Sequence, residues 1–277
     1  MNRFELEGFG KDRFFLIAGP CVVESLGLCE EVAGQVGALC RERGIPLIFK
    51  ASYRKANRSS GHSFTGLGDQ EALYILKQIR ENFQVPVLTD IHAASEAGWA
   101  ATVADVLQIP AFLARQTDLL EAAARTGAWV NIKKGQFMAP SSMKFAADKV
   151  HRQGNSRIWL TERGTQFGYQ DLVVDFRSVP RMQGLGYPVV VDITHSLQVP
   201  NQDSGVTSGT PEFIETMGRA ALACGAQGIF LETHPRPEQA LSDGANMLPL
   251  HRLPALLDKL VGLDRLVRSW SVTAPGV

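Results

Sequence analysis

Eight short apolar runs, each followed by a segment of helical character, restrict the fold of this chain more than any other feature. The runs are rich in Val, Ile and Leu and show little apolar–polar alternation, which is typical of parallel strands buried on both faces. They cover residues 14–20, 46–52, 85–91, 106–110, 128–133, 158–163, 189–194 and 228–233. Such a series indicates either a closed barrel or an open, doubly wound sheet.

The segments between the runs have amphipathic helical patterns. Ser25 is a suitable N-cap for a helix that stops at Gly44, and further helices are predicted over 71–83, 93–101, 118–126 and 211–224. A doubly wound sheet would need a Gly-rich dinucleotide fingerprint after its first strand, but the turn here reads GPCVVES. Eight alternations over 277 residues therefore predict one α/β domain, residues 1–277, folded as a (β/α)8 TIM barrel. We expect the short N-terminal extension before the first strand to close the bottom of the barrel as a hairpin.

The charge balance and the cysteine usage exclude several classes of protein. Lys plus Arg and Asp plus Glu both number 28, so the formal net charge is zero and the basic footprint of a nucleic-acid-binding protein is missing. No apolar run approaches the length of a membrane span, and MNRFELEGFGKDR at the start has no signal-peptide core. The four Cys are not closely paired, which fits a reducing compartment. We expect a cytoplasmic protein with neither a nucleic-acid nor a membrane partner.

Polar side chains follow most of the predicted strands. The loops after the strands of a (β/α)8 barrel build the active site, so we expect these residues to meet at one mouth. The candidates are Lys50, Lys55, Asn57, Arg58, Ser59, Asp90, Gln108, Arg115, Lys133, Lys134, Arg163 and His195. Crowded cations repel one another unless anions bind between them, and phosphate and carboxylate are their natural ligands. The alternative for each Lys is a solvated residue at the rim of the barrel.

A second constellation combines one thiol, one imidazole and two carboxylates. Cys21, His195, Glu232 and Asp243 follow the first, seventh and eighth runs, which become neighbours when the barrel closes. This mixed set suits Zn, Fe(II), Mn, Co or Cd, although no local spacing motif supports it. Cys21 could instead be a buried small hydrophobic residue, or a nucleophile with His195 as its base. Against the nucleophile, two nearby carboxylates would raise the pKa of the thiol.

Taken together, these motifs resemble the 3-deoxy-D-manno-octulosonate 8-phosphate (KDO8P) synthases over nearly the whole chain. The matching segments include IAGPCVVES, FKASYRKANRSS, VNIKKGQF, VVVDITHS and FLETHPRPEQALSDGANMLPL. The related 3-deoxy-arabino-heptulosonate 7-phosphate (DAHP) synthases look like KPRTS where this chain has KANRSS. Cys21 and Gly135 resemble the metal-dependent branch, since the metal-independent branch has Asn and Pro there. The chain departs from the family at IHAASEA, where many members have an acidic residue and Pro after the His.

The resemblance implies a transferase that joins phosphoenolpyruvate, arabinose 5-phosphate and water into KDO8P and phosphate, a step in lipopolysaccharide biosynthesis. It further implies a homotetramer with one divalent metal ion per subunit, held by the four residues of the second constellation. Phosphoenolpyruvate would be bound by Lys50, Lys55, Lys133 and Arg163 with the backbone N–H of Ala111. The sugar phosphate would take Arg58 and Ser59, with Arg115 from a neighbouring subunit, and Asn57 would hold sugar hydroxyls.

Three rival functions remain open. A DAHP synthase would use erythrose 4-phosphate in place of arabinose 5-phosphate. A phosphosugar-binding protein without catalysis would keep the anion sites and release no phosphate. A metallohydrolase of phosphate esters would need a carboxylate-rich or two-metal site.

Overall fold

The computed structural model describes residues 3–56, 64–166, 171–199 and 208–271. Eight parallel strands form a closed ring in chain order, and the first strand pairs with the last from Phe15↔Gly228 to Gly19↔Glu232. The barrel strands are β1 Phe15–Gly19, β2 Leu47–Lys50, β3 Val87–Asp90, β4 Val106–Ile109, β5 Trp129–Lys133, β6 Ile158–Glu162, β7 Val189–Asp192 and β8 Gly228–His234. The predicted (β/α)8 barrel is confirmed, and only β8 extends past its predicted run, by His234.

The strands read as unbroken apolar runs because each one faces two hydrophobic cores. In β1, Leu16 and Ala18 pack outwards in the large core shared with the helices. Phe15 and Ile17 point into a smaller core that fills the barrel, where Trp159 and Phe230 also lie. Successive side chains of a strand alternate between its faces, so both sets must be apolar.

Eight α-helices occur in the described part of the chain. They are α1 Leu26–Arg43, α2 Asp69–Phe83, α3 Ala97–Ala100, α4 Thr117–Arg125, α5 Met143–His151, α6 Ser178–Gln183, α7 Ile214–Ala223 and α8 Leu253–Ser271. The predicted ends of α1 are confirmed: the Ser25 hydroxyl accepts a hydrogen bond from Leu28 N, and Gly44 adopts φ 63°. None of these helices is both long and apolar enough to cross a membrane.

The predicted helix over 93–101 is shorter in the structure. It begins as the 3₁₀ turn Ala94–Glu96 and continues as the four residues of α3. Ala93, at the N-cap position, has no side-chain oxygen with which to cap a helix. The predicted helix over 211–224 likewise begins as a 3₁₀ turn, Pro211–Phe213, and continues as α7.

The N-terminal extension closes the bottom of the barrel, but the predicted hairpin is wrong. Residues 3–14 contain turns and no strand. Leu6 is buried in the interior core, and Phe4 and Phe9 pack against it. The plug is anchored at Asp105, which accepts hydrogen bonds from Arg80 through both carboxylate oxygens and from Phe4 N. The extension is held by this apolar packing and by its contact with Asp105 rather than by strand pairing.

Candidate active site

Three predicted metal ligands converge at the mouth of the barrel. Cys21 follows β1, Glu232 lies in β8 and Asp243 lies on the loop after it. One ligand atom from each lies within 4.8 Å of the other two, and the Cys21 thiol donates to Asp243 Oδ2 at 3.2 Å. Burial and the Glu232 carboxylate raise the pKa of the thiol well above its usual value, so the thiol keeps its proton unless a metal ion binds.

This group fits a divalent ion. Glu232 is fully buried, and its Oε2 has no hydrogen-bond partner among the described residues. A buried carboxylate oxygen without a partner is costly, and a coordinated cation would relieve that cost. One sulfur and two carboxylate oxygens are donors that Zn and its neighbours accept.

His195, the fourth predicted ligand, lies beside this group. Its Nε2 is 3.5 Å from Glu232 Oε2, and its Nδ1 is 2.8 Å from Asp192 Oδ2. The other oxygen of Asp192 accepts hydrogen bonds from the backbone N–H groups of Thr194 and His195. Asp192 thereby fixes the imidazole with Nε2 towards Glu232, an arrangement common behind metal-binding histidines. No role was predicted for Asp192 from the sequence, although a polar residue at the end of β7 is expected to face the mouth of the barrel.

Two predicted cations lie deep in the same mouth. Lys50 Nζ is 2.5 Å from Glu232 Oε1 and donates to the Cys21 carbonyl oxygen at 2.8 Å. Lys133 Nζ is 2.6 Å from Asp192 Oδ2. The Phe230 ring packs against both ammonium groups, with its centroid 5.5 Å from Lys50 Nζ and 3.8 Å from Lys133 Nζ. Burial lowers the pKa of Lys133 from its usual value.

Among the described residues, four of the cations predicted at the mouth are balanced by carboxylates, and Arg58 lies outside those residues. Four cations at the mouth are matched by four carboxylates that act on them electrostatically. The cations are Lys50, Lys55, Lys133 and Arg163, and the carboxylates are Asp90, Asp192, Glu232 and Asp243. A divalent ion at the Cys21 group would turn this balanced mouth positive, which is the charge that an anionic substrate needs.

Lys55 lies above the metal-ligand group. Its Nζ is 4.0 Å from Asp243 Oδ2, and its backbone N–H donates to the Thr65 carbonyl at 2.8 Å. Burial alone would lower the pKa of Lys55, but the carboxylates of Glu232 and Asp243 help to raise it above its usual value. Lys55 is therefore a cation held at the entrance to the site.

Arg163 is a buried guanidinium with unused hydrogen-bonding capacity. Its Nη2 donates to Gln198 Oε1 at 2.8 Å, whereas Nη1 is buried without a partner among the described residues. Burial lowers the pKa of Arg163 from its usual value. A guanidinium nitrogen in this state is a ready donor to a phosphate or carboxylate oxygen.

A line of hydrogen bonds runs across the floor of the mouth from β2 to β6. Asp90 accepts from Ser52 and Gln108 at 2.6 Å each, Gln108 accepts from Asn131 at 2.8 Å, and Asn131 accepts from Thr161 at 2.6 Å. Burial alone would raise the pKa of Asp90, but Lys50, Lys55 and Lys133 hold it well below its usual value. Asp90 and Gln108 were predicted from the sequence, whereas Ser52, Asn131 and Thr161 were not. A polar residue inside an otherwise apolar strand was the available signal for Asn131 and Thr161.

Lys134 does not lie with the other cations. Its ammonium group donates to Thr165 Oγ1 at 3.0 Å and to two backbone carbonyls, and lies 3.4 Å from Glu162 Oε1. These contacts hold the loop after β5 against the loop after β6. The contact of Lys134 with substrate stays a prediction, and the ammonium group already has hydrogen-bond acceptors within the protein.

The remaining predicted residues lie at the rim or outside the described residues. Ala111 is buried and begins a 3₁₀ turn after β4, and its carbonyl would lie 3.1 Å from a side-chain carbon placed at Gly135. Arg115 is exposed, and its carbonyl accepts a hydrogen bond from Lys149 at 2.8 Å. Asn57, Arg58 and Ser59 lie outside the residues that the structure describes.

Comparison with known proteins places the chain in a family. The profile of the DAHP synthetase I family matches residues 6–269. Proteins named 2-dehydro-3-deoxyphosphooctonate aldolase are similar along almost their whole length. The protein from Trichlorobacter lovleyi is 53% identical over 253 residues, 91% of this chain and 93% of the relative. The protein from Geotalea uraniireducens is 53% identical over 260 residues, which are 94% of this chain and 96% of the relative. The protein from Fusobacterium nucleatum is 51% identical over 259 residues, which are 94% of this chain and 93% of the relative. The chain therefore belongs to the DAHP synthetase I family and, within it, to the 2-dehydro-3-deoxyphosphooctonate aldolases.

Proposed function

We propose that this protein is a KDO8P synthase, another name for the 2-dehydro-3-deoxyphosphooctonate aldolases. It condenses phosphoenolpyruvate with arabinose 5-phosphate and water to give KDO8P and phosphate. The observation that carries the proposal is the pairing of a buried, partly unsatisfied Arg163 with a metal-type group of Cys21, Glu232 and Asp243 in one barrel mouth. Both are what a reaction between two anionic substrates requires.

The reaction forms one carbon–carbon bond and one carbon–oxygen bond, the latter to water, and breaks the carbon–oxygen bond to the phosphate. One proton of the water passes to the aldehyde oxygen. The enol carbon of phosphoenolpyruvate attacks the aldehyde carbon of the sugar, while water adds to the adjacent carbon, which carries the phosphate. The resulting hemiketal phosphate then loses phosphate by C–O cleavage. Positive character develops on the phosphate-bearing carbon, and fixed charges around it supply the largest share of the stabilisation.

The buried cations bind and orient phosphoenolpyruvate in this proposal. Arg163 donates Nη1 to an oxygen of the substrate, and Lys133 and Lys50 give positive charge from the floor of the mouth. Lys55 closes the site from above, and the Ala111 backbone N–H adds a further donor. Holding both substrates in register lowers the entropic part of the barrier.

Cys21, His195, Glu232 and Asp243 would hold one divalent ion, and the proximity of three of them supports the proposal that the protein belongs to the metal-dependent branch. When bound, the ion supplies a fixed positive charge that orients or polarises the sugar aldehyde. Zn, Fe(II), Mn, Co and Cd all suit the donors, and elemental analysis of the purified protein identifies the native one.

The sugar phosphate is assigned to the loop after β2. Arg58 and Ser59 would bind the phosphate group and Asn57 the hydroxyls, with Arg115 contributed by a neighbouring subunit of a homotetramer. We further propose that the protein is one cytoplasmic domain that works in lipopolysaccharide biosynthesis on these two small molecules, with no nucleic-acid or membrane partner.

A phosphate-release assay with both aldose phosphates tests the proposal. Turnover with arabinose 5-phosphate and little with erythrose 4-phosphate is expected, because KANRSS replaces the KPRTS of the DAHP synthases. Preference for erythrose 4-phosphate would favour a DAHP synthase. Binding of arabinose 5-phosphate by calorimetry, without phosphate release, would favour a phosphosugar-binding protein.

A further inference from the structure

Glu96 lies outside the mouth and joins the two loops that follow β2 and β3. It ends the 3₁₀ turn before α3 and is buried, 6% exposed. One carboxylate oxygen accepts hydrogen bonds from the Tyr53 hydroxyl and from His92 N, the latter at 2.7 Å. The other accepts a hydrogen bond from Arg54 Nη2. Three donors from two loops thus meet on one buried side chain.

The carboxylate is charged in this setting. Burial alone would raise the pKa of Glu96, but the hydrogen bonds from Tyr53 and His92 N and the nearby Arg54 hold it below its usual value. A buried charge is stable only when it is paired and hydrogen-bonded, so the partners of Glu96 are held as firmly as Glu96 itself. Replacing the carboxylate would leave several buried donors without a full acceptor.

The segment that Glu96 holds leads directly to Lys55. Tyr53 is fully buried and packs edge-on against Trp99 of α3, with ring centroids 5.2 Å apart. Arg54 Nη1 reaches the first residue of α2, Asp69, at 3.2 Å. The two residues before Lys55 are thus fixed to the outer wall of the barrel, while Lys55 itself reaches to 4.0 Å from Asp243.

We infer that Glu96 is a positioning residue, which acts on substrate binding through Lys55. Deepening the proposed function, the inference assigns to this chain a buried brace behind one of its substrate-binding cations. Glu96 touches neither the metal-ligand group nor the floor of the mouth in the described structure. Two of its contacts hold the segment that leads to Lys55, and the third holds His92 N, two residues after Asp90. An effect carried by Lys55 is distinguished from one carried by Asp90 by replacing Lys55 as well. Small displacements of a positioning group are known to reduce rates strongly.

A double-mutant cycle with Lys55 tests this inference. Phosphate release and calorimetric binding of phosphoenolpyruvate are measured for the wild type, Glu96→Gln, Lys55→Met and the double variant. In the wild-type background Glu96→Gln is expected to lower kcat/KM roughly tenfold and to weaken phosphoenolpyruvate binding. In the Lys55→Met background the same change is expected to have less than about a twofold effect, because the group that Glu96 positions is gone.

Asp105→Asn is the matched control. Asp105 is also buried and paired with an arginine, but at the bottom of the barrel. Asp105→Asn is expected to lower Tm. Its effect on kcat/KM is expected to be the same with Lys55 present and with Lys55→Met. If Glu96→Gln does not fold, Tyr53→Phe in the same cycle removes one donor and keeps the ring packed on Trp99.

The inference would be overturned if Glu96→Gln lowered kcat/KM by the same factor with Lys55 present and with Lys55→Met, or if it had no effect at all. The proposed function would stand in either case. A wild-type protein that neither binds phosphoenolpyruvate nor releases phosphate would overturn both. Loss of activity in Glu96→Gln that tracks only the fraction of folded protein would also overturn it, because the brace would then be purely structural.

Discussion

Asp192 Oδ2 lies 2.8 Å from His195 Nδ1 and 2.6 Å from Lys133 Nζ, so one carboxylate oxygen orders both a proposed metal ligand and a cation proposed to bind substrate. Asp192 is fully buried, and His195 and Lys133 hold its pKa well below its usual value against the effect of burial. The metal-ligand group and the anion site are therefore joined by a single charge at the end of β7.

Asp192→Asn is expected to weaken the affinity for divalent ions roughly 10–100-fold, because the amide no longer fixes the imidazole as the carboxylate does. Titration of the ion-free protein with Zn or Cd, followed by calorimetry, measures the change. Asp105→Asn serves as the control for loss of a buried carboxylate. Unchanged ion affinity in Asp192→Asn would show that His195 needs no such support.

Cys21→Asn is expected to abolish stoichiometric ion binding and to retain part of the activity, because the metal-independent branch of the family has Asn at this position. Elemental analysis and phosphate release are measured on the same preparation. Cys224→Ser, at a partly buried Cys at the end of α7, is the control and should keep its ion. Loss of all activity with the ion still bound would contradict the assignment of Cys21 as a ligand.

The affinity for a divalent ion should rise with pH. The pKa of the Cys21 thiol is raised by burial and by Glu232, so the ion-free protein carries the proton and must release it on binding. Between pH 7 and 8.5 the affinity should increase by about tenfold per pH unit if one proton is released. Calorimetry in two buffers of different ionisation enthalpy counts that proton. Affinity independent of pH across this window would mean that the thiol does not coordinate as a thiolate.

Arg163→Lys is expected to raise the KM for phosphoenolpyruvate by roughly 10–100-fold, because lysine lacks the planar fork in which Nη2 holds Gln198 while Nη1 stays available for the substrate. The KM for arabinose 5-phosphate should change much less. Arg157→Lys, on an exposed arginine paired with Glu7, is the control. A rise confined to the KM for the sugar phosphate would assign Arg163 to the other substrate.

Leu6→Ala should lower stability without harming the site. Leu6 is 1% exposed inside the N-terminal plug, and removing such a side chain from a core costs about 2–5 kcal/mol. A fall in Tm with kcat/KM near the wild-type value is the expected result, measured by thermal unfolding and phosphate release. A large fall in kcat/KM of the folded variant would show that the plug influences the opposite end of the barrel.

The barrel was predictable because its strands are buried on both faces. The run VVVDITHS, for example, has no alternation that could have suggested an exposed face, and it contains β7. The positions of Lys50 and Lys133 followed from the rule that strand ends converge on the mouth. The hairpin prediction was wrong because residues 3–14 pack by means of Leu6, Phe4 and Phe9, a contact between distant segments that local pattern does not encode.

Which neighbour each charged group would choose was not predictable. The sequence places Lys50 and Glu232 at strand ends but does not show that they pair at 2.5 Å. Lys133 likewise pairs with Asp192 at 2.6 Å, so the charge that these two lysines leave for an anion could not be read from the sequence. Glu96 was equally hidden, because two of its three partners, Tyr53 and Arg54, lie more than forty residues earlier in the chain.

The register of the closing strands bears on when the site comes into being during synthesis. Gly19 pairs with Glu232, so the ligand that follows the first strand and the ligand within the last become neighbours only when the ring is complete. A nascent chain that has not yet released its eighth strand from the ribosome holds Cys21 without its partners. Binding of the proposed ion would then follow closure of the ring, because the residues proposed to hold it do not lie together before that point.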